Sequence, residues 1–195
     1  MIPINYPPGA TPLDEDELDG LKLKHITARV ELDRWEQDNI QDALAWVARR
    51  RRKDILTEEF VCLLHKKMFE KVWKWAGRFR RTDKNIGIQW LEIPVSVRQL
   101  LDDVRYWVEQ KVFSPDEIAY RLHHKLVFIH LFPNGNGRHS RLLSDILLWE
   151  VFKKEPFTWG SQQLTDAGKA RKQYIAALKA ADLQDYSLLE KFVRS

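Results

Sequence analysis

The chain has 195 residues, 44% of them hydrophobic and 31% charged, with eight Trp and nine Phe, which suits one domain able to bury a sizeable apolar core. No apolar run reaches the length of a membrane span and no basic-then-apolar leader opens the chain. The single cysteine, Cys62, rules out an internal disulfide or a cysteine metal cage, so a cytoplasmic protein with no membrane partner is expected. The net charge of +4 is too weak to argue by itself for nucleic acid.

Residues 1 to about 24 are Pro-rich and then acidic, over Asp14-Glu15-Asp16-Glu17 and Asp19. They read as an N-terminal arm, laid over the rest of the chain or partly loose, ahead of a domain at 25–195. From Thr27 the apolar spacing turns helical, with Val30, Trp35, Ile40, Ala43, Leu44 and Val47 leaving one face polar. The run Arg49-Arg50-Arg51-Arg52-Lys53 closes this helix, and cations at a helix C-terminus suit its dipole. A nucleic-acid patch there is the lesser reading. Thr57, followed by Glu58 and Glu59, starts a second helix carrying Phe60, Leu63, Leu64, Met68 and Val72, with Cys62 as a small buried hydrophobe.

Between Gly77 and Pro94 the residues become β-capable and are punctuated by Gly and Asn, which predicts a small β-hairpin across Ile86, Gly87, Ile88 and on to Ile93. Helices are then predicted at about 95–110, 115–130, 137–153, 165–180 and 184–193. Ser114-Pro115-Asp116-Glu117 is a strong helix start, with Ser at the N-cap and Pro at the first helical position. The fold class is therefore mainly α, a helical bundle with one β-hairpin flap.

The chemistry concentrates at Phe128-Ile129-His130-Leu131-Phe132-Pro133-Asn134-Gly135-Asn136-Gly137-Arg138-His139-Ser140-Arg141. An apolar helix (Ile118, Leu122, Leu126, Ile129) ends near His130, because Pro133 and Gly135 cannot continue it. A new helix starts near Gly137, with Leu142, Leu143, Ile146 and Leu147 on its inner side. Arg138 and Arg141 share one face of its first turn. A helix N-terminus is partially positive, so two arginines and His139 there are electrostatically misplaced unless a polyanion binds. Free N–H groups of a Gly-rich turn, the dipole and two guanidinium forks together make a phosphate site. His130 alongside is suited to take a proton from an attacking hydroxyl. A Walker-type loop is excluded, since no Gly-x4-Gly-Lys-[Ser/Thr] occurs. His123 and His130 share a helix face but stand roughly 10 Å apart, too far to hold one metal together.

His130 to Arg141 resembles the motif His-Pro-Phe-x-[Asp/Glu]-Gly-Asn-Gly-Arg-x-x-Arg of the Fic/Doc family, departing at Leu131 and Asn134. The likeness extends through Leu64-His65, Trp75-Ala76-Gly77-Arg78-Phe79-Arg80 and Tyr174 to Leu178, covering about 55–193. Thr11-Pro12-Leu13-Asp14 and Trp35-Glu36-Gln37 with Asn39-Ile40 resemble the subfamily called mobile mystery protein B. The resemblance implies a Fic-type bundle moving AMP from ATP onto a Ser, Thr or Tyr hydroxyl of a protein. It implies His130 as general base, and Gly135, Asn136, Gly137, Arg138 and Arg141 around the phosphates. It also implies Mg²⁺ at position 134, where Asn134 replaces the carboxylate that a hard cation prefers. Tyr174 would border the nucleotide, and the Ile86–Gly87–Ile88 flap would align a target segment by strand addition. Thr27-Ala28-Arg29-Val30-Glu31-Leu32 is the nearest match to the family's inhibitory helix, implying a regulatory Glu31 that pairs with Arg141. Another nucleotide donor, or a weakly active Fic-fold binding module with a regulatory partner protein, are the alternatives.

Overall fold

The computed structural model describes residues 14–26, 28–50, 54–161 and 167–195. The Pro-rich start, Thr27 and Arg51 to Lys53 lie outside them. Among the described residues there are eight α-helices and no sheet. The short α1 (Glu15–Leu18) is followed by a chain that runs beside residues 72–74. Lys22 N–H donates to the Val72 carbonyl and Lys74 N–H to that of Gly20, and buried Leu21 faces Trp73 across an antiparallel bridge.

Helix α2 (Arg29–Arg49) packs on α3 (Glu58–Phe69). Its inner stripe is Leu32, Glu36, Asn39, Ile40, Ala43 and Val47, whereas Val30, Trp35 and Leu44 face solvent. The apolar residues alone therefore misplace the face, because two of the inward positions are polar and internally satisfied. Trp73 Nε1 donates to Glu36 at 2.6 Å, and the Asn39 amide bonds the Lys67 carbonyl at 3.0 Å and the Lys71 N–H at 2.9 Å. Helix α3 starts where expected, with the Thr57 hydroxyl accepting from Phe60 N–H at 3.1 Å. Arg50, from the basic run, is used structurally: it pairs with Glu150 at 2.7 Å and lies over the Phe60 ring.

The predicted hairpin is not formed over 80–93. The backbone there bonds to side chains rather than to a facing strand. Arg80 takes the carbonyls of Thr82 and Ile88, and Asp83 takes the Trp90 N–H at 2.8 Å. A 3-10 turn, Trp90–Glu92, then leads into α4 (Ile93–Gln110).

Helix α5 (Pro115–Ile129) starts at Ser114, whose hydroxyl accepts from Glu117 N–H at 3.2 Å. It is the central element, touching α4, α6 (Asn136–Leu147), α7 (Ala167–Asp182) and α8 (Ser187–Val193). Ile118, Leu122, Leu126 and Ile129 are all buried, each burial contributing about 1.5–3 kcal/mol. The helix expected at 137–153 divides into α6 and a single π-type turn, Leu148–Phe152, which stops at Lys153 in the left-handed conformation. Among the described residues no helix is long and apolar enough to cross a membrane.

Candidate active site

The site lies where α5 ends and α6 begins. His130 closes α5 with φ 58° and ψ 63°, a left-handed conformation that side chains other than Gly and Asn rarely adopt. The following turn is closed by one side chain. Asn136 Oδ1 accepts from Phe132 N–H at 2.9 Å, and its amide donates to the Phe132 carbonyl at 2.7 Å. Gly135 has φ 80°, and a Cβ there would meet the Phe69 ring at 2.5 Å, so both the conformation and the close approach require glycine. Phe132 is fully buried and stacks on His65 with ring centres 3.7 Å apart.

His65 ties this turn to the preceding segment. Its Nδ1 accepts from Gly77 N–H at 2.9 Å, which leaves Nε2 as the donor to the Asn134 carbonyl at 3.0 Å. Burial holds its pKa well below 6.5, with the neighbouring His139 acting in the same direction. His139 itself is turned inward, donating Nε2–H to the Val61 carbonyl at 3.0 Å, and burial lowers it to about 4. It is neutral, so the misplaced charge at the start of α6 reduces to the two arginines.

Arg138 is one-third exposed and reaches Glu36 of α2 at 2.7 Å, lying over the Phe69 ring. Arg141 lies over the Tyr174 ring at 4.8 Å, and its buried Nε has no hydrogen-bond partner among the described residues. An orphaned guanidinium N–H at a helix start suits an absent anionic acceptor. Tyr174, on α7, hydrogen-bonds His123 Nε2 at 3.1 Å. Burial, then the charge of Arg141, keeps His123 neutral. Asp145, one turn beyond Arg141, is raised to about 6 by burial and accepts from the Trp159 indole and Phe157 N–H.

His130 is 5% exposed, and its pKa falls to about 4, first through burial and then through the charges of Arg80 and Lys84. At neutral pH the imidazole is uncharged and able to accept a proton. Asn134 is half-buried, and its side-chain oxygen already accepts from Gly135 N–H at 2.7 Å. Among the described residues no three His, Cys, Asp or Glu converge as metal ligands. With its neutral oxygen at position 134, this donor set does not suit a resident Mg²⁺ ion.

Residues 55–148 match the Fic/DOC family. These residues form a Fic/DOC family domain. Over 122 residues the chain is 32% identical to protein adenylyltransferase fic-1 of Caenorhabditis elegans, covering 61% of this chain and 22% of that protein. It is 33% identical over 101 residues to protein adenylyltransferase Fic of Aedes aegypti, covering 50% and 20%. The chain thus spans about a fifth of the length of these curated relatives. Among solved structures, the N-terminal FIC domain of Bep8 from Bartonella sp. 1-1C superposes with a TM-score of 0.69 at 13% identity, over 90% of each chain. BepC from Bartonella tribocorum, with bound AMPPNP, gives 0.67 at 17% identity, covering 93% of this chain and 97% of that one. At those identities the structural likeness concerns the fold.

Two side chains that close the Fic domain's arginine site come from outside the matched stretch: Glu36 from α2 and Tyr174 from α7. Glu31 is exposed on α2 and makes no ion pair with Arg141, since the packed stripe of α2 turns Leu32 and Glu36 inward and position 31 outward. Sequence reasoning missed Glu36, Arg80 and the supporting role of His65. The one available signal was two polar residues, Glu36 and Asn39, standing at helical spacing with the apolar Leu32, Ile40 and Ala43.

Proposed function

We propose that this chain transfers AMP from ATP to a Ser, Thr or Tyr hydroxyl of a protein. The observation that supports it most is the pairing of a buried, neutral His130 with two arginines at a glycine-started helix, one of them with an unsatisfied donor. His130 takes the proton from the target hydroxyl, whose oxygen attacks the α-phosphorus while pyrophosphate departs. Arg138, Arg141 and the N–H groups of the Gly135–Gly137 turn neutralise charge on the phosphates, and Tyr174 borders the nucleotide. ATP brings its own Mg²⁺ as part of the substrate, with Asn134 able to add one neutral oxygen.

Autoinhibition belongs to the same reading, with a change of residue. Glu36, not Glu31, holds an arginine of the phosphate site, and a regulatory partner protein that draws α2 away would release it. Within the family we place the chain in the mobile mystery protein B subfamily. The likeness at Trp35-Glu36-Gln37 with Asn39-Ile40 is what supports this. The protein is tested by incubating it with labelled ATP, UTP, GTP and CDP-choline in a host lysate and locating the modification by mass spectrometry. Adenylyl groups on protein hydroxyls are expected. Modification from another donor alone would replace the proposal.

A further inference from the structure

Burying a guanidinium group is costly unless its donors find acceptors. The Arg80 side chain has no solvent exposure, and its donors go to carbonyls on two separate segments. At the end of α5, Nε donates to the His130 carbonyl at 2.6 Å and one terminal nitrogen reaches the Ile129 carbonyl at 3.4 Å. On the 82–88 loop the terminal nitrogens take the carbonyl of Thr82 at 2.7 Å and that of Ile88. Its own N–H donates to the Leu131 carbonyl at 2.9 Å, on the far side of His130. The α5 carbonyls are ones that a helix end leaves without intrahelical partners, and the helix dipole there favours a cation.

We propose that Arg80 is a positioning residue for His130, its guanidinium joining the backbone at the end of α5 to the 82–88 loop so that imidazole and loop are held as one unit. Three features of the geometry require it. His130 sits in a left-handed conformation that its surroundings must hold. Gly87, with φ 98°, brings the loop so close that a Cβ there would meet His130 Cβ at 2.6 Å and an Arg80 terminal nitrogen at 2.9 Å. The acceptors are spread over both segments, which suits a planar fork of five donors and not the single ammonium of lysine. The segment expected to pair as a hairpin is instead pinned by its carbonyls to Arg80, which also holds the backbone carbonyl of His130.

The catalytic half of this inference rests on the transfer reaction proposed above, so the test has an arm that does not. Full-length wild type, Arg80→Lys, Arg80→Met and Gly87→Ala are compared by kinetics with ATP and by NMR titration of the His130 ring. Both Arg80 variants and Gly87→Ala are expected to lose about a hundredfold in kcat through misplacement of the base, while KM for ATP stays within about twofold. Arg80→Lys keeps the charge, so a loss there reports geometry. The His130 ring signals are expected to shift in all three variants at pH 8. Its pKa is expected to rise in Arg80→Met, which removes the Arg80 charge while burial and Lys84 go on lowering it. Should Arg80→Met fail to fold, Gly87→Ala probes the same junction with the guanidinium intact. Active wild type with all folded variants equally active would overturn the role of Arg80 and leave the transfer reaction standing. Inactive wild type would remove that reaction, and the ring signals alone would then decide. Unchanged signals and titration in every variant overturn the proposal; shifted ones support it.

Discussion

Glu36 and Arg138, 102 residues apart in sequence, meet at 2.7 Å, with the carboxylate almost wholly buried and its second oxygen held by the Trp73 indole at 2.6 Å. An arginine suited to a phosphate is thereby already paired within the protein.

Glu36→Gln is expected to strengthen ATP binding, because the amide keeps a partner for the Trp73 N–H but gives up the charge that holds Arg138. A hydrogen bond to a charged group contributes about 1.5–3 kcal/mol. With Arg138 one-third exposed the lower end applies, roughly tenfold in Kd. Calorimetric titration with ATP measures it, and Glu31→Ala, at an exposed position, is expected to change nothing. Equal affinity for wild type and Glu36→Gln would show that the pair does not compete with nucleotide.

Asn134→Asp is expected to lower the Mg²⁺ concentration needed for half-maximal transfer. A carboxylate adds the charge that a hard cation prefers, where Asn134 offers one neutral oxygen already engaged by Gly135 N–H. The measurement is transfer rate against Mg²⁺ at fixed ATP. An unmoved midpoint would mean that the phosphates alone hold the ion.

The transfer rate is expected to be flat from pH 8 to 6 and to fall only as the pH approaches the His130 value of about 4. Below its pKa the imidazole is protonated and no longer accepts a proton. A pH profile of kcat/KM that declines through 6.5 would place a different group in that role.

Stability is expected to fall as the pH drops from about 6.5 toward 4. Buried His65, His123, His130 and His139 all have folded pKa values below the unfolded one, so the unfolded chain binds more protons in this window. His139 alone, lowered to about 4, corresponds to an effect of about 3 kcal/mol once the pH passes below both values. Asp145, raised to about 6, works in the opposite sense over the same range but is a single group. Thermal melts across pH 7 to 4 measure the balance, and a constant Tm would contradict it.

Local signals in the sequence carried a good part of this fold. Ser114-Pro115 and Thr57 announced their helices through capping chemistry that needs no distant partner, and Pro133 with Gly135 marked the break between α5 and α6. The two arginines stood out because a helix start repels them. Long-range pairing was hidden. Glu36 looks like any helix-surface acid until α3 and Trp73 close around it, and the apolar pattern of α2 pointed to Val30 and Trp35, which the packing leaves outside. The hairpin expectation failed for a similar reason. β-capable residues at 86–93 need a facing strand, and Arg80, anchored on the His130 carbonyl fifty residues away, takes the carbonyls of Thr82 and Ile88 instead. His139, read as a third cation, became a neutral core residue through its bond to Val61.

ATP labelled at either the α or the γ phosphate tests most directly whether His130 drives transfer of an adenylyl group. Wild-type and His130→Ala proteins are incubated with each label and a host lysate, with ATP binding measured in parallel. Label from the α position is expected on protein with wild type and label from the γ position is not. His130→Ala is expected to lose about 10²–10⁴-fold of that rate while binding ATP nearly as well. Transfer from the γ position, or equal transfer by wild type and His130→Ala, would contradict the account.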